Sequence, residues 1–580
     1  MNPAGKESGE KFPAHARGNG AAFWFAIGVG VLIALVYGVC VALWIGRGGF
    51  WIIDNGCRFI QMEGLIRNGY RAFDVAWPGA VVDPELKWMP LPYPFGMNVG
   101  GRLMLQYSPV FAVLSSAPYR AFGFPGLYLL PLLGGLALLP AVYGLARRLS
   151  PWPQAGAVAV GLTGLASPLW FYSLSFWEHA PAVALATWSV LTGVRFLQTA
   201  AAGHLAASAL LGGLAIYLRD ELYLLAGIWG VALWLGTTRK RIWWFYPAVV
   251  LLTLLPLWGF NFAALGNPFG HHFAHAARTF GLRPFLGERL AVFQALFLGA
   301  HPHSLVSVLL VGPWLVLWLL RPVVGRKTAL VLAGWAGLGG VFLVHAHAAS
   351  AVPLVLLLQT GGLFAAAPVL ALGFVRAAEE QPGVDRRVRR ALLLLVAGFA
   401  AGYALLAPPF SARGIHWGCR FLLPLYPLLA VLAAHALVGW WRGPPRSTAL
   451  RSAVAVAVAA AVLLQIYSVR LLAQRLDSTR RMEAALAARP ERAFIANNSS
   501  VAAELVAMPN LFFERLLFLV RTPAEADRLR NRLSNNGIHE LAWMASAVRS
   551  RPPAPGAIRL EDRRLNYLAL DIGAMRLPVP

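Results

Sequence analysis

Apolar runs about as long as a bilayer is thick alternate with short basic clusters along most of the chain, and the alternation stops near residue 470. A helix rises 1.5 Å per residue, so about 20 apolar residues cross roughly 30 Å of hydrocarbon. Roughly 13 such runs are readable: 21–45, 125–146, 154–175, 180–198, 203–218, 222–236, 242–262, 304–320, 328–346, 351–375, 391–407, 421–440 and 452–470. The clusters Arg147-Arg148, Arg239-Lys240-Arg241, Arg321/Arg326/Lys327, Arg376 with the run 386–390, and Arg442/Arg446 fall on one side when these runs alternate in direction. That is the positive-inside pattern. The stretch 103–123, LMLQYSPVFAVLSSAPYRAFG, is apolar enough to suggest another crossing, but a crossing there would invert every later cluster. It is therefore expected to lie along the interface as a juxtamembrane helix.

Beyond residue 471 the pattern becomes that of a soluble domain. AFIANN and RLLFLVR read as strands, and SSVAAELVAMP as the helix between them. TPAEADRLRNRLSNNG reads as a helix with Thr522 and Glu525 at capping-box spacing, and HELAWMA as a third strand. The fold class expected is an all-α polytopic membrane protein of about 13 transmembrane helices, with outer juxtamembrane helices and a small C-terminal α/β domain. Its divisions are a tail at 1–20, a transmembrane domain at 21–470 whose first outer loop is 46–124, and an outer soluble domain at 471–580. That domain has no Gly-rich phosphate loop, so recognition or shielding is expected of it.

Composition agrees: 58% of residues are hydrophobic and 13% charged, with a mean hydropathy of +0.60, beyond the range of soluble domains. The net charge of +25 does not indicate a nucleic-acid partner, because the basic residues sit in the clusters that set orientation. The first apolar run is too long for a signal-peptide core and reads as an uncleaved first helix. Cys40, Cys57 and Cys419 have no metal or disulfide spacing; a Cys57–Cys419 bridge is the alternative to free thiols.

The candidate chemistry lies on the outward side. Asp54, Glu63, Asp74, Asp83 and Glu85 are five of only 25 acidic residues, and all fall in the first outer loop. Asp54 follows the first helix directly, with Arg58 one turn later; it is either a catalytic carboxylate or the cap of a helix starting at Asn55. Glu178 and His179 mark a tight outer turn and are either a metal- or proton-handling pair or a solvated turn. Arg219-Asp220-Glu221 reads as a salt-bridged helix junction. In GNPFGHHFAHAARTFGLRP, His271 and His275 would share a helix face near Arg278, which suits a metal or a phosphate; the alternative is partly exposed structural histidines. Arg413, His416 and Arg420 precede an inbound helix, and arginine at that depth calls for an anion such as a lipid phosphate.

Taken in order, these segments resemble the GT-C glycosyltransferases, especially the bacterial branch near aminoarabinose transferase and the protein O-mannosyltransferases. The resemblance rests on Asp54 after the first helix, YSPVFAVLSSAPYRAFG, Glu178 at the next outer turn, the N-P-F loop at 267–269, and GCRFLLP at 418–424. Asn55 stands where many members have Glu, and the lysine of the aminoarabinose branch is missing, which argues against that sugar.

The resemblance implies transfer of a hexosyl or pentosyl unit from a polyprenyl-phosphate donor to a lipid, glycan or protein acceptor. The setting would be the periplasmic face of a bacterial inner membrane, in modification of cell-envelope polysaccharide or lipopolysaccharide. It implies Asp54 as general base and Glu178 as a second catalytic carboxylate. Arg420, Arg58, Arg278 and Arg413 would bind the donor phosphate, and His179, His271, His275 and His416 would serve the acceptor, the lipid or a divalent metal. No other cofactor is implied. The competing reading is a transporter or flippase of a lipid-linked or small polar substrate, against which stands the clustering of ionisable residues at the rim instead of mid-helix.

Overall fold

The computed structural model describes residues 19–279, 385–407, 416–442, 448–508, 510–546, 557–561 and 569–576, with short stretches between 289 and 297 and between 362 and 374. The expected spans at 304–320 and 328–346 lie outside the described residues, as do Arg413 and the side chain of Arg278. Among the described residues, seven helices are long and apolar enough to cross a membrane: Gly20–Ile45, Phe124–Leu149, His179–Thr199, Ile242–Leu265, Arg386–Leu406, Leu425–Arg442 and Val454–Ala487. Three shorter apolar helices, Ala155–Leu165, Ala202–Ile216 and Leu222–Gly236, lie among them. Each coincides with an expected run, and the molecule is an integral membrane protein.

In chain order the helices are α1 (Asn19–Cys40), α2 (Ile53–Arg67), α3 (Val110–Phe122), α4 (Leu129–Leu149), α5 (Ala155–Leu165), α6 (Leu169–Ser173), α7 (His179–Thr199), α8 (Ala202–Ile216), α9 (Leu222–Gly236), α10 (Phe245–Leu265) and α11 (Gly270–Thr279). After the stretch that is not described come α12 (Arg386–Leu406), α13 (Leu425–Arg442), α14 (Thr448–Ala487), α15 (Ser499–Val506), α16 (Leu511–Glu514) and α17 (Pro523–Asn535). Helix α7 is buried for most of its length and forms the centre of the bundle, packed by α4 and α8. Helices α1 and α10 lie outside, where Phe23, Trp24, Leu35, Leu252 and Leu255 present exposed apolar side chains to lipid.

The structure departs from expectation in three places. The run 154–175 is not one helix: α5 ends at Leu165 and α6 starts at Leu169, because Pro168 lacks the amide needed to continue. Within the expected span 351–375, Pro368–Phe374 forms a 3-10 helix against α13. The last run does not stop at 470. Helix α14 continues for 40 residues, about 60 Å, so the soluble domain is entered along a rigid rod.

The expected juxtamembrane helix is α3, buried on one side through Phe111, Ala112, Ser115 and Ser116. The rest of the first loop holds α2 and an antiparallel hairpin of β1 (Gly96–Val99) and β2 (Arg102–Leu105). In the soluble domain β3 (Ala493–Ala496), β4 (Leu516–Leu519) and β5 (Glu540–Ser546) are parallel, as the β-α-β-α-β pattern implies. Two strands not legible in the sequence, β6 (Ala557–Glu561) and β7 (Ala569–Arg576), extend the sheet in the order β4-β3-β5-β7-β6. Both pair antiparallel, half-polar strands whose alternation is too weak to read alone.

The soluble domain does not have a core to itself. Trp77, Val82, Trp88 and Leu91 of the first loop pack with Phe494, Leu517 and Phe518 of the sheet. The Leu519 amide donates to the Trp88 carbonyl at 2.8 Å, and Trp77 Nε1 donates to the Leu517 carbonyl at 3.2 Å. The first loop thus covers edge strand β4 and satisfies part of its backbone.

Candidate active site

Asp54 stands in the first turn of α2, which starts at Ile53 and is capped by the extended residue Ile52. It is therefore not the cap of a helix beginning at Asn55, and that alternative falls. The cap position is served by Asn55, whose Oδ1 accepts from the Ile52 amide at 3.2 Å. Its Nδ2 donates to the Phe176 carbonyl at 2.8 Å, tying α2 to the turn before α7. The Asp54 carboxylate accepts a hydrogen bond from the Tyr107 hydroxyl at 2.8 Å, and Arg420 Nη1 lies 3.6 Å from the same oxygen. Its side chain keeps 13% exposure, enough for one oxygen to meet another group.

In the sequence Tyr107 carries no signal beyond its place in the juxtamembrane motif. Its phenol lies 3.8 Å beneath the Arg58 guanidinium, and its carbonyl accepts from Gln61 Nε2 at 3.0 Å. Burial, reinforced by the Asp54 carboxylate, pushes its hydroxyl well above the ordinary phenol range, so it remains a neutral donor.

Glu178 is placed differently from expectation. Its side chain is fully buried, and Oε1 accepts from Arg58 Nη2 at 2.5 Å and from Arg219 Nη1 at 3.0 Å. Burial alone would raise its carboxyl pKa; the Arg58 and Arg219 charges outweigh burial and hold it below the usual carboxylate range. A carboxylate clamped by two guanidiniums is a weak base, and its role is to anchor both arginines. Arg58 accordingly pairs with Glu178 and not with Asp54.

The junction Arg219-Asp220-Glu221 is more than a salt bridge at a turn. Arg219 Nε does bond Glu221 at 2.9 Å, but its other arm reaches Glu178, which brings Arg219 into the site. No local signal distinguishes such an arginine; only the packing of the α8–α9 turn against α7 does.

The histidines divide. His179 packs parallel to Tyr172 at 5.0 Å and lies 4.7 Å from Trp177. It is buried, and neither ring nitrogen has a hydrogen-bond partner. His416 is also buried. On α11, His275 Nδ1 lies 3.1 Å from the Tyr93 hydroxyl, and His272 Nδ1 lies 2.9 Å from Asp220 Oδ2. Among the described residues no three His, Cys, Asp or Glu side chains converge on a point that could hold a metal. The three cysteines are buried and free.

Three of the remaining four loop carboxylates have structural partners. Glu63 pairs with Arg67 one turn along α2, Asp83 accepts from the Trp88 amide at 2.6 Å, and Glu85 meets Lys87 and Arg532. Arg420 opens a 3-10 turn, Arg420–Leu422, just after Trp417. The Trp417 carbonyl accepts from the Tyr172 hydroxyl at 3.0 Å, and its indole donates to Gln465 on α14 at 2.9 Å. The Arg420 guanidinium lies over Phe421 at 4.7 Å and Trp177 at 5.5 Å. The site is thus a carboxylate with a free edge beside three guanidiniums. Arg58 Nε, Arg219 Nη2, Arg420 Nε and Trp177 Nε1 are all buried without a hydrogen-bond partner.

No protein-family model and no curated protein matches the chain. Solved structures do. The chain is similar to the oligosaccharyltransferase of Archaeoglobus fulgidus in its apo form, at 13% identity and a TM-score of 0.49 over 90% of this chain and 70% of that one. It is similar to ArnT from Cupriavidus metallidurans bound to undecaprenyl phosphate, at 15% identity and a TM-score of 0.49 over 96% of this chain and 98% of that one. It is also similar to the arabinofuranosyltransferase AftD from Mycobacteria, at 14% identity and a TM-score of 0.41 over 96% of this chain and 40% of that one.

Proposed function

We propose that the chain is a GT-C-type glycosyltransferase. It moves a hexosyl or pentosyl unit from a polyprenyl-phosphate carrier to a hydroxyl acceptor at the outer face of a bacterial inner membrane. The observation that carries this reading is the Asp54 carboxylate, held by Tyr107 at 2.8 Å with Arg420 at 3.6 Å, beside buried N–H donors that have no partner. Buried donors left unpaired are costly, about 1–3 kcal/mol each, and an anion within their reach relieves that cost. A polyprenyl phosphate supplies such an anion at the membrane rim.

The chemistry follows from the geometry. Asp54 takes the proton of the acceptor hydroxyl as its oxygen bonds to the anomeric carbon. The bond from that carbon to the phosphate oxygen breaks, and its electron pair leaves on the lipid phosphate. The charge arriving there is met by Arg420 and by the free N–H groups of Arg219 and Arg58, which Glu178 holds in place. Tyr107 fixes the carboxylate and leaves its second oxygen for the acceptor. The acceptor is a lipid, glycan or protein hydroxyl of the cell envelope.

The test is sugar transfer in proteoliposomes loaded with polyprenyl-phosphate sugars and envelope acceptors, comparing wild type with Asp54→Asn. The amide keeps the shape and removes the base, and a rate loss of about 10²–10⁴ is expected. Equal rates in the two proteins would remove Asp54 from the chemistry.

A further inference from the structure

Asp54 is held from behind by the soluble domain. Successive helical residues turn by about 100°, so Asp54 and Gly56 lie on nearly opposite faces of α2. A Cβ on Gly56 would stand 1.9 Å from the carbonyl oxygen of Val506 and 2.7 Å from its carbonyl carbon. Val506 is the last residue of α15 in the soluble domain, and it is fully buried. Backbone meets backbone there, so no side-chain rotation can relieve a clash.

The chain entering α2 is gripped in the same way. At Gly49, whose φ is +76°, a Cβ would stand 2.3 Å from the Leu476 carbonyl oxygen of α14. Thr479 donates to the Phe50 carbonyl at 3.2 Å, and Arg475 Nε donates to the Trp51 carbonyl at 3.0 Å. The other arm of Arg475 donates to Glu504 Oε2 of α15 at 2.5 Å. Arg475 is 1% exposed and joins α14, α15 and the approach to Asp54 in one clamp.

We infer that the Val506 carbonyl and the Arg475–Glu504 clamp are positioning elements for Asp54, making the soluble domain part of the catalytic apparatus without touching substrate. The inference rests on the reading of Asp54 as the base. Its magnitude follows from distance. Relieving a 1.9 Å contact to about 3.3 Å requires α2 and α15 to separate by about 1.4 Å, and the share taken by α2 displaces Asp54. A misplacement of about 1 Å at a reacting group costs about 100-fold in rate.

The experiment measures transfer kinetics of the full chain in proteoliposomes for Asp54→Asn, Gly56→Ala, Glu504→Gln and Gly64→Ala. Gly56→Ala is expected to lower kcat about 100-fold, while the donor KM changes only several-fold because Arg219 and Arg420 stand on other elements. Glu504→Gln keeps an acceptor for Arg475 and removes its charge, with an expected three- to tenfold loss in kcat at unchanged KM. Glu504→Asp restores most of that loss. Gly64→Ala lies on the same helix, where a Cβ would make an ordinary 3.6 Å contact with Val75, and it is expected to behave as wild type. An inactive Asp54→Asn with Gly56→Ala and Glu504→Gln both turning over normally would overturn the inference and leave the base intact. An active Asp54→Asn would overturn the base reading, and the inference with it. Where Gly56→Ala does not fold, Glu504→Gln decides alone: a kcat loss at constant KM supports the clamp, and no loss overturns it.

Discussion

Replacing Glu178 by Gln tests whether this carboxylate is an anchor. Glu178 is fully buried and serves two guanidiniums through one oxygen. Removing one partner of a buried ion pair costs about 3–5 kcal/mol, because a charge is left uncompensated away from water. Here Arg219 keeps Glu221 at 2.9 Å, whereas Arg58 keeps the Ser108 carbonyl at 3.4 Å and the Tyr107 ring at 3.8 Å. The amide also retains one acceptor oxygen. The cost therefore belongs near the lower end, about 3 kcal/mol.

The pH dependence makes the prediction specific. The Glu178 pKa is depressed below its ordinary 4.5 in the fold. Its contribution is thus complete above the unfolded value and is lost as pH falls through the lower folded value. The wild-type advantage over Glu178→Gln should be full at pH 7 and should narrow as pH falls below 4.5 and through the lower folded value. Equilibrium unfolding in mixed micelles, followed by tryptophan fluorescence between pH 7 and 3.5, measures both quantities. A difference absent at pH 7, or one that stays constant from pH 5 to 3.5, would refute the anchoring role.

Two further outcomes follow from particular contacts. Tyr107→Phe removes the hydrogen bond to the Asp54 carboxylate, a bond to a charged group worth about 1.5–3 kcal/mol. Transfer should slow by about 10- to 100-fold with the donor KM unchanged, and an unaltered rate would show that the hydroxyl does not orient the base. Thr522→Ala removes the cap of α17, where the hydroxyl accepts from the Glu525 amide at 3.2 Å while Glu525 returns a bond to the Arg521 amide. About 1 kcal/mol of local stability should be lost, read as faster hydrogen exchange in the first turn of α17 with the membrane helices unaffected.

Much of the architecture was legible because hydrocarbon and water impose local, periodic demands. Every described membrane helix coincides with an apolar run, and the stretch 103–123 holds the expected helix, α3. The α17 cap and the three parallel strands were equally local. The break at Pro168 and the unbroken course of α14 past residue 470 were not recognised. Local composition shows where a segment leaves lipid, and a helix can continue into water without changing its hydrogen bonding.

The sequence by itself determined that this is a membrane protein with its carboxylates gathered at one rim, and it singled out Asp54, Glu178 and Arg420. It could not assign their partners. Arg58 lies one turn from Asp54 yet binds Glu178, 120 residues away, and Arg219 reaches the same oxygen from another turn. Only tertiary packing decides which of several nearby charges meet, because the cost of an unpaired buried ion depends on where helices close and not on spacing along the chain. The same holds for the soluble domain. Residues 475–506 grip the backbone on either side of Asp54 through contacts more than 400 positions apart, and nothing in the local pattern of either segment announces them.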